Sequence, residues 1–364
     1  MIFLVVIFCI GLFVYLFMQQ TKFGKMPTGA TLKRMQLSKN FSDGMFQNVS
    51  VTPQLTDGAT YYSVLKKFIF HRSKQLKPWG ILPSQKTDLN AIPTEKNVLI
   101  WFGHSSYFMQ VDGKKILVDP VLSGGASPIK STTRSFAGTD VYTPEDLPEI
   151  DYLFLSHDHW DHLDYETVKA LKPKVGKVIC GLGMGNHLKH WGYKPDRIVE
   201  NDWDEHIVLD KGFEVNTVSG RHFSGRTFTR NKSLWLSFAL TTPTFKIFIG
   251  GDSGYDTHFA RAGEMLGPFD LAILECGQYD KSWKYIHMLP PEILQAAKDL
   301  GTKRLMPVHW GKFALSNHDW DTPIKELTML NKLDNIPLVT PMIGQVVNLD
   351  DTHQYFTPWW QNMQ

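Results

Sequence analysis

The chain has 364 residues, 43% of them hydrophobic and 20% charged, with a formal net charge of +2. That composition suits a globular protein with a sizeable core. The near-neutral balance and the lack of a Lys/Arg-rich block argue against a nucleic-acid partner. Cys9, Cys180 and Cys276 form no CxxC pair and read as buried thiols rather than as a disulfide framework.

Residues 1–18, MIFLVVIFCIGLFVYLFM, carry no charged side chain, and with residues 19–21 they are long enough to cross a bilayer. No Lys or Arg precedes this run and no A-x-A-like site follows it, so an uncleaved anchor is expected rather than a signal peptide. Lys22, Lys25, Lys33 and Arg34 follow, which by the positive-inside tendency makes the chain a single-pass membrane protein with its main domain in the cytoplasm. The expected organisation is a transmembrane anchor at 1–21, an extension packing on the core at 22–93, and one large domain at 94–364. Within the extension, residues 61–71 (YYSVLKKFIFH) read as a short helix with apolar and basic faces, packed on the core or resting on a membrane.

Residues 98–102 read as a strand, followed by a turn at Gly103-His104. Residues 106–111 and 114–118 read as two more, joined by the hairpin signal Asp112-Gly113. Residues 151–155 form an apolar strand, and residues 165–171 a helix with Asp164 as its N-cap. Strands are then expected at 178–180, 213–218, 234–240, 245–249, 271–274 and 305–308. Helices are expected at 184–191, 257–266, 291–300 and 322–333. A meander followed by alternation favours a layered α/β protein with mixed sheets.

Between the strand at 151–155 and the helix at 165–171 lies HDHWDH, residues 157–162. Imidazole nitrogen and carboxylate oxygen are donors that zinc accepts. His157 and His159 are two apart, so in an extended segment they face one ion; Asp161 and His162 come after the turn and reach a second. Further candidates stand just after apolar strands: His222 in SGRH, Asp252 in GGDSGY and His309 in PVHW. Strand ends on one rim of a sheet are where an α/β protein collects its chemistry. Asp119, at a strand end, is a candidate acceptor for a ligand histidine, with Asp158 behind it. His104 reads as a buried structural histidine.

These motifs, in this order, resemble the metallo-β-lactamase superfamily, and within it the N-acyl-phosphatidylethanolamine-hydrolysing phospholipase D family. The matching stretches are WFGHSS at 101–106, VDPVLSGGASP at 118–128, LSHDHWDHLDYETV at 155–168, GGDSGY at 250–255, GPFDLA at 267–272 and HWGKFALSNHDW at 309–320. The resemblance implies an αββα sandwich of two mixed sheets, here with the membrane span in front of it, and a dinuclear site of two Zn²⁺ ions. His157, His159 and His222 would hold one ion, and Asp161, His162 and His309 the other. Asp252 would bridge both with a hydroxide that attacks phosphorus. Asp161, Asp252 and His287 would be the catalytic residues, with His287 on the phosphate. Trp160 stands where the family has a substrate-contacting tyrosine, keeping a ring and losing the hydroxyl. Flavodiiron relatives of this fold have Glu where His159 stands, so zinc is expected over iron.

The implied activity is hydrolysis of N-acyl-phosphatidylethanolamine-like membrane phospholipid to N-acylethanolamine and phosphatidic acid. The implied partners are the lipid bilayer and, as in relatives of the family, a second copy in a homodimer. A soluble ester, lactone or cyclic phosphate is the alternative substrate, because the same ligands would serve it.

Overall fold

The computed structural model describes residues 1–56 and 58–363. Its first helix, α1 (Ile2–Met18), is apolar on every side, and none of its residues is buried. The sequence predicts a bilayer-crossing span here, and the structure corrects it. The helix stops after 17 residues, where Gln19 and Gln20 replace the apolar run. At about 1.5 Å per residue it is roughly 26 Å long, short of a hydrocarbon core of about 30 Å. Among the described residues no helix is long and apolar enough to cross a membrane.

A short helix α2 (Gly29–Gln36) and a two-stranded hairpin, β1 (Phe41–Ser42) with β2 (Met45–Phe46), follow. They dock through Met35 and Phe46, which belong to the main buried cluster. Helix α3 (Tyr61–Phe70) starts at a capping box: Thr60 Oγ1 accepts the Ser63 N–H at 3.1 Å, and Ser63 Oγ accepts the Thr60 N–H at 2.8 Å. Its side chains Tyr62, Leu65, Ile69 and Phe70 are exposed.

The rest is two mixed sheets. The first contains β3 (Val98–Trp101), β4 (Tyr107–Val111), β5 (Lys114–Val118), β6 (Ile150–Leu155), β7 (Val175–Gly181) and β8 (Ile198–Asn201). Helices α4 (Tyr165–Leu171) and α5 (Gly185–His190) interrupt it. The second contains β9 (His206–Asp210), β10 (Phe213–Ser219), β11 (Leu236–Thr241), β12 (Lys246–Ile249), β13 (Leu271–Glu275) and β14 (Leu305–Val308), with α6 (His258–Leu266), α7 (Pro290–Asp299) and α8 (Thr322–Asp334). Strand β15 (Val346–Asn348) then returns to pair with β3. The orders are β15-β3-β4-β5-β6-β7-β8 and β14-β13-β12-β11-β10-β9. In each sheet antiparallel pairing gives way to parallel pairing, at β5–β6 and at β12–β13.

Strict alternation builds the layers. Tyr107, Met109 and Val111 of β4 and Tyr152 and Phe154 of β6 enter the cluster between the sheets, where Phe154 meets Phe238 edge-on at 5.1 Å. Phe108, Leu153 and Leu155 point the other way, onto Val168, Leu171 and Leu188 of α4 and α5. Phe259, Ile293 and Ile324 of α6, α7 and α8 pack against the second sheet. Helices therefore cover both outer faces. The sequence reading omitted β8, β9 and β15, whose residues are largely half-exposed or exposed.

Candidate metal centre

The ligand candidates sit on strand ends at one edge of the sandwich. The loop 156–164 joins β6 to α4; its turn closes by His162 and Leu163 N–H donating to His159 O at 3.1 and 2.8 Å. Asp164 caps α4 by accepting the Glu166 N–H. His222 follows β10, Asp252 follows β12 and His309 follows β14. Gly251, at φ +60°, lets the chain pass Ser156: a Cβ there would stand 2.8 Å from the Ser156 side chain.

Two groups of donors form. His157 Nε2 lies 2.8 Å from His159 Nδ1, and His222 Nε2 lies 3.3 Å from that same nitrogen. Asp161, His162 and His309 form the second group, joined by His104. Asp252 Oδ2 is 3.2 Å from His162 Nε2, 3.8 Å from His222 Nε2 and 3.9 Å from His157 Nε2, within reach of both groups. His162 Nε2 and Asp252 Oδ1 are buried and have no hydrogen-bond partner among the described residues. Orphaned donor atoms converging on one point are what a metal ion would satisfy.

The electrostatics agree. Burial holds His157, His222 and His309 well below the usual imidazole range and His159 at about 4. They are neutral at physiological pH, as ligation requires. At His162 burial is outweighed by the Asp252 and Asp161 carboxylates, which hold it well above that range. The carboxylates favour a positive charge at that point. Burial pushes Asp252 up to about 6, with His162 opposing it.

Acceptors around the ligands fix their ring faces. Asp119 Oδ2 accepts from His162 Nδ1 at 2.8 Å, and Asp119 Oδ1 accepts the Ser156 N–H at 2.8 Å. His222 Nδ1 donates to Ile286 O at 2.8 Å, which leaves Nε2 for the cluster. His104, expected as a structural histidine, reaches Asp161 Oδ2 with its Nε2 at 2.8 Å. His104 and His309 also pair through their backbones: His309 N–H donates to His104 O at 3.0 Å. His104, Asp119 and His309 all have positive φ, at 54°, 39° and 67°. Such conformations cost about 1–3 kcal/mol each outside glycine and persist where the surroundings over-determine them.

A cleft of about 300 Å³ opens over the cluster. His287 lines it and stands 5.1 Å from the His222 ring and 5.3 Å from the His309 ring. Behind it Glu275, which the sequence reading missed, places Oε2 2.5 Å from His287 Nδ1. Its only sequence signal is its position, a carboxylate ending an apolar strand like the other site residues. Arg230 lines the cleft too, its guanidinium 4.7 Å from the Phe223 ring centroid. Trp160 does not line it. Its ring faces Phe23 and the Arg226 guanidinium and borders a separate hollow with Phe17 and Lys22. Asp158 likewise supports the loop rather than a ligand: Gly225 N–H and Ser233 Oγ donate to it at 2.6 and 2.8 Å.

The Beta-lactamase superfamily domain matches residues 114–310, which span the ligands from His157 to His309. The chain belongs to the metallo-β-lactamase superfamily. It is 34% identical over 338 residues to an uncharacterized protein of Mycobacterium tuberculosis (strain ATCC 25618 / H37Rv), covering 89% of this chain and 88% of that one. It is 28% identical over 337 residues to the N-acyl-phosphatidylethanolamine-hydrolyzing phospholipase D 1 of Caenorhabditis elegans, covering 78% of this chain and 93% of the relative. The fold matches that of a metallo hydrolase from the archaeon Ignicoccus hospitalis with a TM-score of 0.55 at 18% identity, covering 69% of this chain and 97% of that one. As a metallo-β-lactamase-fold hydrolase, the chain carries a His/Asp cluster suited to two metal ions.

Proposed function

We propose that the chain is a zinc phosphodiesterase that cleaves N-acyl-phosphatidylethanolamine-like lipids on the phospholipase D side, releasing N-acylethanolamine and phosphatidic acid. The observation that carries this reading is the composition of one cleft. His159, Asp161, His222, Asp252 and His309 form its floor, and Arg230 and His287 are in its wall. Tyr61 and Val64 of α3 line it, while Tyr62, Leu65, Ile69 and Phe70 of the same helix are exposed beside it. An ionic floor under an apolar rim fits a diester that carries acyl chains. The phospholipase D relative supports the substrate class.

His157, His159 and His222 would hold one zinc and Asp161, His162 and His309 the other, with Asp252 shared. Two such ions would supply a hydroxide at neutral pH and positive charge for the phosphoryl group. The chain's own groups do the rest. Arg230 receives the phosphodiester anion and orients it. Asp119 and Ile286 O keep His162 and His222 in the right tautomer. His287, oriented by Glu275, gives a proton to the N-acylethanolamine oxygen as its bond to phosphorus breaks. α1, apolar on every side and with no buried residue, would bury its apolar surface in the bilayer that carries the substrate.

The test is a pair of assays on one preparation of known zinc content, with N-acyl-phosphatidylethanolamine in mixed micelles and with bis-p-nitrophenyl phosphate. About two zinc ions per chain and release of N-acylethanolamine are expected. Turnover of the soluble diester alone would keep the metal chemistry and reject the lipid.

A further inference from the structure

Arg226 is 3% exposed and sits behind the metal loop. Its Nη1 donates to Asp158 O at 3.0 Å and to Leu163 O at 2.6 Å, two carbonyls that bracket the ligands from His159 to His162. Its Nη2 and Nε donate to Lys22 O at 2.9 and 3.3 Å. Its guanidinium lies 3.8 Å from the Trp160 ring centroid. Trp160 meets Phe23 edge-on at 5.2 Å, and Phe23 meets Phe17 of α1 at 5.4 Å.

A second tie runs beside the first. Trp191 Nε1 donates to Thr21 O at 2.8 Å. The Lys25 N–H donates to His187 Nδ1 at 2.9 Å, so the His187 proton sits on Nε2, 3.4 Å from Asp158 Oδ2. Gly24 has φ +77°, and a Cβ on it would stand 2.0 Å from His187 Nδ1. Asp158 and Trp160, which alternate with the ligands His157, His159 and Asp161, are thus where residues 21–25 attach, through Arg226, His187 and Phe23.

We propose that Arg226 is a positioning residue of the metal loop, clamping it to residues 22–25, and that through this joint the exposed helix α1 is mechanically tied to the metal ligands. The reason is hydrogen-bond accounting. Every donor contact of this buried guanidinium goes to a carbonyl, and lifting residues 22–25 away would leave Nη2 and Nε unsatisfied in the interior. The loop therefore holds its shape only while the segment after α1 is docked. This rests on the metal-site reading above and is independent of the lipid substrate.

The experiment uses the full chain and two readouts. One is the rate at which zinc passes to the chelator 4-(2-pyridylazo)resorcinol. The other is amide hydrogen exchange in residues 156–164, with α7 as an internal reference. Arg226→Met is expected to release zinc about ten- to a hundredfold faster and to raise exchange in the loop while α7 stays protected. Arg226→Lys, a point charge without the fork, should fall between the two. Phe23→Ala and Gly24→Ala, which touch no ligand, should loosen the same loop. Wild-type zinc release and loop exchange in Arg226→Met would overturn the positioning role. If Arg226→Met unfolds and α7 loses protection, Phe23→Ala and Gly24→Ala decide, and an unchanged loop in both overturns the tie to α1. A chain that binds no zinc would reject the metal-site reading, while the exchange arm still decides the joint.

Discussion

Glu275 Oε2 lies 2.5 Å from His287 Nδ1, with Glu275 buried and His287 at the wall of the metal cleft. Glu275 Oε1 accepts the Ser253 and Met288 N–H groups, both at 3.1 Å, so the carboxyl cannot turn. Burial pushes this acid well above the usual carboxylate range. The hydrogen bond joins the two groups into one unit. Glu275→Gln should lower kcat on a phosphodiester about a hundredfold with KM and zinc content unchanged. His287→Ala should cost a similar factor, and the double variant should be no worse than the single. Additive losses, or loss of zinc, would reject the pairing.

Asp252 touches both donor groups, so its loss should be felt by both. Asp252→Asn is expected to keep the fold, bind fewer metal ions and abolish turnover. In the wild type, dialysis against a chelator should remove activity and lower the melting temperature, because metal binds the folded state selectively. At a hundredfold excess over Kd that linkage is worth about 2.7 kcal/mol. Readdition of two equivalents of zinc should restore both. An Asp252→Asn protein with wild-type turnover would exclude a shared carboxylate.

The rim of the cleft makes a separate prediction. Leu65 and Ile69 are 58% and 60% exposed on α3 and line no part of the cleft. Leu65→Asp and Ile69→Asp should each weaken turnover of vesicle-borne lipid about tenfold, the equivalent of about 1.4 kcal/mol of lost apolar burial. Turnover of bis-p-nitrophenyl phosphate should stay within about twofold of wild type. Equal losses on both substrates would mean that α3 supports the fold, not the interface.

The centre of the sandwich is the place where stability is concentrated. Phe154 and Phe238, both fully buried, meet there from opposite sheets. Phe154→Ala should cost about 3–5 kcal/mol in urea unfolding. Its neighbours on both sides belong to separate sheets and cannot collapse into the void together.

The legible parts of this chain were those with local signals. HDHWDH packs its donors into consecutive turns of one loop, and His222, Asp252 and His309 each follow an apolar strand. β5 and β14 have the predicted ends because apolar runs are bounded by Asp119-Pro120 and by His309. Strands β8, β9 and β15 were missed because edge positions leave polar residues facing water, which blurs the apolar pattern. Glu275, His104 and Arg226 act at long range: Glu275 on His287, His104 on Asp161, Arg226 on both ends of the metal loop. No spacing along the chain encodes those contacts. In residues 1–21 the composition reported an apolar helix correctly, and its length was overestimated because Gln19 and Gln20 end it.

The left-handed backbone at His104, Asp119 and His309 has a consequence for anyone breeding this protein for heat resistance. Glycine would relieve about 1–3 kcal/mol of backbone strain at each position, but it would cut the hydrogen bonds of His104 and Asp119 and forfeit a metal linkage of similar size. Each such step would remove a side chain that holds, or orients a holder of, the metal. Heat selection with zinc present would therefore keep these side chains and selection under a chelator would let them go, so a screen has to score turnover alongside survival.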